Sequence, residues 1–156
     1  MIITYDTQAN TLSIDHAGNH SWGTDVVAAL NRHGKTVSLK GVSFRITVKA
    51  DGETVLDQLW PPEGVRFSKT NQDTLATSRA KWMPDQTISV DAWCINTLGQ
   101  TITATDTFVA PRPAQPYPSW VWGGTAWQPP LPYPDDDDGD YYWDEDAGEW
   151  VEEDEI

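Results

Sequence analysis

The fold is decided by the stretch WMPDQTISVDAWCINTLGQ, residues 82–100. After the corner at Pro84, apolar side chains alternate with polar ones, and a period of two predicts a β-strand with one buried face. The side chains expected to face inward are Ile88, Val90, Ala92 and Cys94. Residues 96–99 predict a turn ending in glycine, and residues 101–109 are expected to pair back as the second strand of a hairpin.

The preceding segments extend the same β pattern. Alternation from residue 35 onward predicts a strand whose inward side chains are Val37, Leu39, Val42, Phe44, Ile46 and Val48. Asp51 and Gly52 predict a hairpin turn, after which residues 54–60 return as a strand until the Pro61-Pro62 stop. Residues 75–82 fit either a helix or a strand, and we interpret them as a strand with inward Ala76, Ser78, Ala80 and Trp82.

The N-terminal segment predicts a hairpin followed by the only helix. Residues 1–6 and 11–15 are β-branched runs joined by a four-residue turn. After them, Ser21 or Thr24 can cap a helix and Asp25 suits its first turn. The residues expected on one helix face are Val26, Val27 and Leu30, and those expected in the last turn are Arg32, His33 and Gly34.

The hairpin segment resembles a known family of β-sandwiches. Its corner proline, alternating small apolar residues, asparagine and turn glycine resemble the E–F corner and F–G hairpin of fibronectin type III and related immunoglobulin-like domains; they fall on Pro84, Ile88, Val90, Ala92, Cys94, Asn96 and Gly99. The resemblance implies a mainly β, immunoglobulin-like (fibronectin III-like) β-sandwich over residues 1–112. Ile88 stands where that family has its corner tyrosine, so a different β-sandwich remains an alternative.

Residues 113–156 differ in composition from the rest of the chain. They contain thirteen acidic residues, no Lys or Arg, five of the nine tryptophans and seven of the eleven prolines. The proline runs predict stiff, extended connectors. Two Trp-flanked turns, in residues 119–128 and 141–152, predict short hairpins. We therefore predict a second segment, an extended C-terminal arm of Trp-rich hairpins that must lie on the body or on a neighbour.

Composition excludes several functions for the whole chain. A net charge of −14 argues against binding to nucleic acid or to an anionic membrane, because both require clustered Lys and Arg. A single cysteine excludes an internal disulfide and a Cys-based zinc site. The first residues show neither a signal peptide nor a membrane span, so we expect synthesis in the cytoplasm.

No catalytic constellation is evident in the sequence. His16 and His20 could share a metal with Asp15, but loop histidines without a third ligand are usually solvated. Cys94 is expected in the core, and no nucleophile elbow or phosphate loop occurs. We therefore predict a protein that is not an enzyme and has no catalytic residue.

The aspartate run raises the question of a metal. An EF-hand frame centred on Gly139 fails because Pro134 occupies its first position. A loose calcium site remains an alternative to a solvated acidic turn, and its ligands would be Asp136, Asp138 and Asp140. No other cofactor is predicted.

The arm also carries a second resemblance. The pattern from Pro116-Tyr117-Pro118-Ser119-Trp120, through Trp127-Gln128-Pro129-Pro130 and Pro132-Tyr133-Pro134, to Trp150-Val151-Glu152 is similar to C-terminal segments of virion proteins of marine tailed bacteriophages. The resemblance implies a virion component, located in the particle, whose arm docks on other capsid or tail subunits in a homo- or hetero-oligomeric assembly. The expected partner-binding residues are Trp120, Trp122, Trp127, Tyr133, Trp143 and Trp150.

Two other function classes remain alternatives. The first is a host-surface glycan- or protein-binding module, calcium-dependent if the aspartates bind the ion, with Trp60 and Trp93 as contacts. The second is an assembly factor absent from the mature particle.

Overall fold

A computed structural model describes residues 1–16, 20–37, 41–60, 75–136 and 139–153. The chain divides into two compact units, Met1–Pro111 and Arg112–Ile156, at a point next to the sequence-based boundary between residues 112 and 113. Strands dominate the first unit and form two short hairpins in the second, and the described residues contain no helix. The protein is therefore mainly β.

The described part of the first unit, which we call the body, contains two sheets. Its strands are β1 (Ile2–Asp6), β2 (Thr11–Asp15), β3 (Gly23–Arg32), β4 (Lys35–Val37), β5 (Ser43–Ala50), β6 (Glu53–Trp60), β7 (Leu75–Lys81), β8 (Thr87–Ile95) and β9 (Thr101–Val109). One sheet has the order β2-β1-β3, and β3 also pairs with β7 and, at its end, with β4. The other sheet has the order β6-β5-β8-β9. The β1–β3 pair is parallel and the others are antiparallel.

The two sheets share one hydrophobic core. Ile3 and Val26 from the first sheet and Phe44 and Ile46 from the second are fully buried in the same cluster. The alternation predicted for β8 is confirmed, because each of its four predicted inward side chains is buried: Ile88, Val90, Ala92 and Cys94. Period-two burial on β3, β5 and β8 therefore places apolar side chains from both sheets in one cluster.

The predicted helix over residues 21–34 is wrong, because this segment forms β3. Every second side chain, at Thr24, Val26, Ala28 and Leu30, is buried, which is the period of a strand. β3 pairs with β1 on one edge and with β7 on the other, so neighbouring strands supply its backbone hydrogen bonds. The predicted helix stop is a two-residue hairpin turn, with φ of 52° at His33 and 74° at Gly34.

Two further strand predictions have mixed outcomes. The strand predicted from residue 35 onward is divided: β4 belongs to the first sheet and β5 to the second, and Leu39 lies outside the described residues. Residues 75–81 form a strand as interpreted, and Ala80 and Trp82 are buried. The Asp51-Gly52 turn between β5 and β6 is confirmed, with positive φ at both residues.

The second unit, which we call the arm, contains two small hairpins in its described part. The first consists of β10 (Val121–Trp122) and β11 (Trp127–Gln128), and the second of β12 (Tyr141–Asp144) and β13 (Glu149–Glu152). In the first hairpin Trp122 lies opposite Trp127, and in the second Trp143 lies opposite Trp150. Both predicted Trp-flanked hairpins are confirmed.

The burial of Cys94 gives a direct test of the body. Its side chain is fully buried on β8, and desolvation raises the pKa of the thiol to about 12. We expect a maleimide at pH 8 to label the native chain at least about a thousandfold more slowly than the urea-unfolded chain, since reaction requires opening of a stable fold. The measurement is the mass of the single adduct over time. Equal labelling rates in the two states would contradict the placement of β8.

Candidate functional site

Three tryptophans form the centre of the arm. Trp143 on β12 is only 3% exposed. Its ring centroid lies 6.2 Å from that of Trp120 and 5.4 Å from that of Trp150, and the latter two are 6.0 Å apart. All three contacts are edge-to-face, the arrangement that aromatic quadrupoles favour. We call these three residues the tryptophan core, and it joins the second hairpin to the segment that precedes the first.

The proline-rich spacer between the hairpins packs against the same group. The ring of Tyr133 lies 4.9 Å from Trp150 and 5.8 Å from Tyr141, again edge-to-face. The indole N–H of Trp150 donates to the carbonyl oxygen of Leu131 at 3.0 Å. The spacer is therefore fixed to the second hairpin by ring contacts and by a backbone acceptor.

The first hairpin holds the start of the arm in a similar way. Trp122 and Trp127 pack edge-to-face at 5.4 Å, and the Arg112 guanidinium lies 5.3 Å from the Trp122 centroid. This is a cation–π distance. The indole N–H of Trp127 donates to the carbonyl oxygen of Pro113 at 2.8 Å. The first residues of the arm therefore pack against its own hairpin.

Glu145 connects the two halves of the arm. Its carboxylate accepts hydrogen bonds from the Ser119 backbone N–H at 2.9 Å, the Ser119 hydroxyl at 2.7 Å and the Trp143 indole N–H at 2.8 Å. Ser119 is the main cause of the lowered pKa of Glu145, and Trp143 contributes. A carboxylate that accepts three bonds is stabilised in its charged form. This contact spans 26 residues of sequence.

The structure assigns different positions to the six predicted partner-binding residues. Trp143 is buried, Tyr133 is 51% exposed, and the other four are partly buried in ring contacts: Trp120, Trp122, Trp127 and Trp150. Much of the tryptophan surface is therefore used within the arm itself. Whether these residues also bind a partner remains a prediction.

Three exposed apolar residues of the arm are absent from the predicted partner-binding set: Val121, Leu131 and Tyr142. Tyr142 is 50% exposed and lies opposite Val151, on the side of the second hairpin away from Trp143 and Trp150. Val121 and Leu131 are 68% and 48% exposed. Strand alternation could have identified Tyr142 as exposed. Successive side chains of a strand point to opposite faces, so a residue next to an inward tryptophan must point outward.

The aspartates predicted to bind calcium have separate roles where they are described. Asp136 accepts a hydrogen bond from the Tyr141 hydroxyl at 2.7 Å, which is the main cause of a Tyr141 pKa raised to about 12. The backbone carbonyl of Asp140 accepts from the N–H of Glu153 at 2.7 Å. Asp138 lies outside the described residues. Within the described ranges no group of three or more His, Cys, Asp or Glu side chains could hold a metal, and the calcium site stays a prediction.

The body's candidate reactive residues serve in packing. The His16 ring stacks on Phe108 at 4.4 Å, and its Nδ1 contacts the Asp106 carboxylate. The backbone carbonyl of His20 accepts a hydrogen bond from the Trp82 indole N–H.

The two predicted glycan contacts differ in exposure. Trp60 packs against the hydrophobic core, whereas Trp93 is partly exposed on the strand face opposite to Cys94. No helix among the described residues is long and apolar enough to cross a membrane.

Comparisons with known proteins give no relative: no protein-family model, curated protein or solved structure matches this chain.

The Glu145 contact predicts an acid-sensitive arm. Because the folded pKa is depressed, Glu145 stabilises the arm above its usual pKa of about 4.5, and this stabilisation is lost as the pH falls through the folded pKa. We expect Glu145→Gln to reduce the pH dependence of the arm's stability and to shift the Trp143 indole resonance at pH 7. The measurement is a pH titration by two-dimensional NMR.

Glu149→Gln is the matched control for this experiment. Glu149 lies on β13 in the same hairpin and is exposed, and its carboxylate accepts no hydrogen bond from a described residue. This variant should titrate like the unmodified chain. Identical titration curves for the two variants would show that Glu145 does not hold the arm together.

Proposed function

We propose that this protein is a non-enzymatic structural component of a tailed bacteriophage virion. In this proposal the body is displayed on the capsid or tail and the arm anchors it to neighbouring subunits. The similarity of residues 116–152 to the C-terminal segments of phage virion proteins supports the origin. The observation that carries the role is the arm itself, a separate unit that combines a tryptophan core with exposed apolar groups and a dense negative charge.

For the body we propose an immunoglobulin-like sandwich. The orders β7-β3-β1 and β6-β5-β8-β9 correspond to the E-B-A and C′-C-F-G sheets of a fibronectin type III domain. Strands β2 and β4 would then be additions to the first sheet, and the parallel β1–β3 pair is a departure from that fold. Such a scaffold suits display, since it presents loops at both ends without requiring chemistry.

The arm's contact surface follows from what its own packing leaves exposed. The tryptophan core stabilises the unit, so the partner would contact Tyr142, Tyr133, Leu131 and Val121 and the exposed edges of the tryptophans. Residues 113–156 carry thirteen acidic groups and no Lys or Arg. A partner subunit with basic side chains around an apolar patch would match this surface, because complementary charges favour correct association.

A role without catalysis is consistent with the positions of the reactive groups. The Cys94 thiol is buried with a raised pKa, and His16 is stacked on Phe108.

Trp93 favours a second function, binding to a host-surface glycan. It is partly exposed and lies beside Arg45 and Thr103 on neighbouring strands, and a tryptophan in this position can stack on a sugar ring.

The anchoring role predicts a defect specific to the arm. We expect Tyr142→Ser to lower incorporation into particles about tenfold, since a half-exposed aromatic at an interface centre is a typical hot spot. Ile2→Ser is the matched control, because Ile2 is an exposed apolar residue of the body at 48% against 50% for Tyr142. The measurement is the copy number per purified particle by quantitative mass spectrometry.

Deletion of residues 113–156 is the stronger form of the same test. The truncated chain should keep a folded body, shown by a cooperative thermal transition, and should be missing from purified particles. Incorporation of the truncated chain at the normal copy number would refute the anchoring role, and absence of the full chain from mature particles would favour an assembly factor instead.

A further inference from the structure

The body contains a cavity that the anchoring role does not use. Its volume is about 750 Å³, within the range of small-molecule sites. Three turns that are distant in sequence contribute to its lining: the β1–β2 turn at residues 7–10, the β3–β4 turn at His33, and the β8–β9 turn at residues 96–100. A concave site formed by converging turns on a rigid β scaffold is a common arrangement for ligand binding.

Hydrogen bonds hold the polar wall of this cavity in place. The side-chain amide of Asn96 donates to the Tyr5 hydroxyl at 3.4 Å, to Asn10 Oδ1 at 3.3 Å and to Gln100 Oε1 at 2.9 Å. Tyr5 in turn donates to Asn10 Oδ1 at 2.5 Å. Asn96 and Tyr5 are 8% and 4% exposed. The wall is therefore preorganised, and this lowers the entropic cost of binding.

The charge of the lining is opposite to that of the chain. The protein has 24 acidic residues, yet among the described residues no carboxylate lines the cavity, whereas Arg32 and His33 do. Within the described part of the chain, the Arg32 guanidinium forms no ion pair. An unpaired guanidinium next to neutral amides favours a ligand with an anionic group, and the described lining residues offer no carboxylate to neutralise a cation.

The backbone at His33 is a further feature of this site. His33 is the first residue of a two-residue turn in which both φ values are positive, 52° and 74°. Asn and Gly are the commonest residues in such turns, and His is also enriched among residues with positive φ. This turn places the imidazole at the cavity.

We propose that this cavity binds a carboxylated sugar, with the carboxylate at Arg32 and His33. The Gln8 carboxamide and the Thr7 and Thr97 hydroxyls line the cavity outside the Asn96 network. Such groups both donate and accept hydrogen bonds, so they match the hydroxyl groups of a saccharide. Leu30, Val37 and Val42 give the cavity an apolar wall that can pack against the C–H face of the ring. The site lies in the body and does not depend on the arm.

The test is calorimetric titration of the full chain with methyl glucuronide, and with methyl glucoside as the neutral counterpart. For a ligand of this size we expect a Kd on the order of 1 mM for the glucuronide. The glucoside should bind at least about tenfold more weakly, because it lacks the charged hydrogen bonds. A uronic acid trisaccharide in a third titration distinguishes a polysaccharide end, which would bind more tightly, from a free sugar, which would bind equally.

Two variants localise the site. Arg32→Gln should weaken glucuronide binding about tenfold by removing a charge-assisted hydrogen bond. Lys81→Gln removes the same charge from an exposed residue at the far end of β7, and should leave binding unchanged. Equal thermal stability of both variants confirms that the fold is kept.

Three results would overturn the proposal: no heat from either monosaccharide at tens of millimolar, equal affinity for both, or an unchanged affinity in Arg32→Gln. A chain lacking residues 113–156 that still folds should bind the glucuronide normally. The sugar site and the anchoring role therefore fail or succeed separately.

Discussion

The pairing of β5 with β8 is the constraint on which the body depends. Phe44 lies opposite Cys94 and Ile46 opposite Ala92, and all four side chains are buried. Because side chains alternate along a strand, a slip of one residue would turn this entire row to solvent. The register therefore fixes where β6 and β9 add at the two edges. It also fixes which face shares a core with β3.

The arm shows how an acidic, proline-rich segment can fold without a large core. Such compositions usually stay unfolded, and an isolated two-stranded hairpin is marginal. Here the two hairpins and the proline-rich spacer share aromatic contacts, so Trp143 leaves water almost completely. Glu145 turns one negative charge into an internal acceptor for Ser119 and Trp143. Most of the contacts that shield the arm's tryptophans from water are therefore made within the arm itself.

The sequence was sufficient where structure is local and insufficient where distant segments meet. The sequence predicts the strand alternation in β5 and β8 and the Asp51-Gly52 turn, because both features depend on residues that are close in sequence. The predicted helix over residues 21–34 is wrong, since Ser21 and Asp25 resemble a helix start and only pairing with β1 and β7 makes this segment a strand. The arm's aromatic content was evident, but the buried position of Trp143 depends on contacts that cross the whole arm. The cavity likewise depends on three distant turns.

The central claim is that residues 112–153 fold as a unit around Trp143 rather than trailing in solvent. Nuclear Overhauser measurements on the isotopically labelled full chain test it most directly. The account predicts cross-peaks between the ring protons of Trp143 and those of both Trp120 and Trp150, whose centroids lie 6.2 and 5.4 Å away. Random-coil shifts for the arm's five indoles, with no cross-peaks between rings, would contradict it.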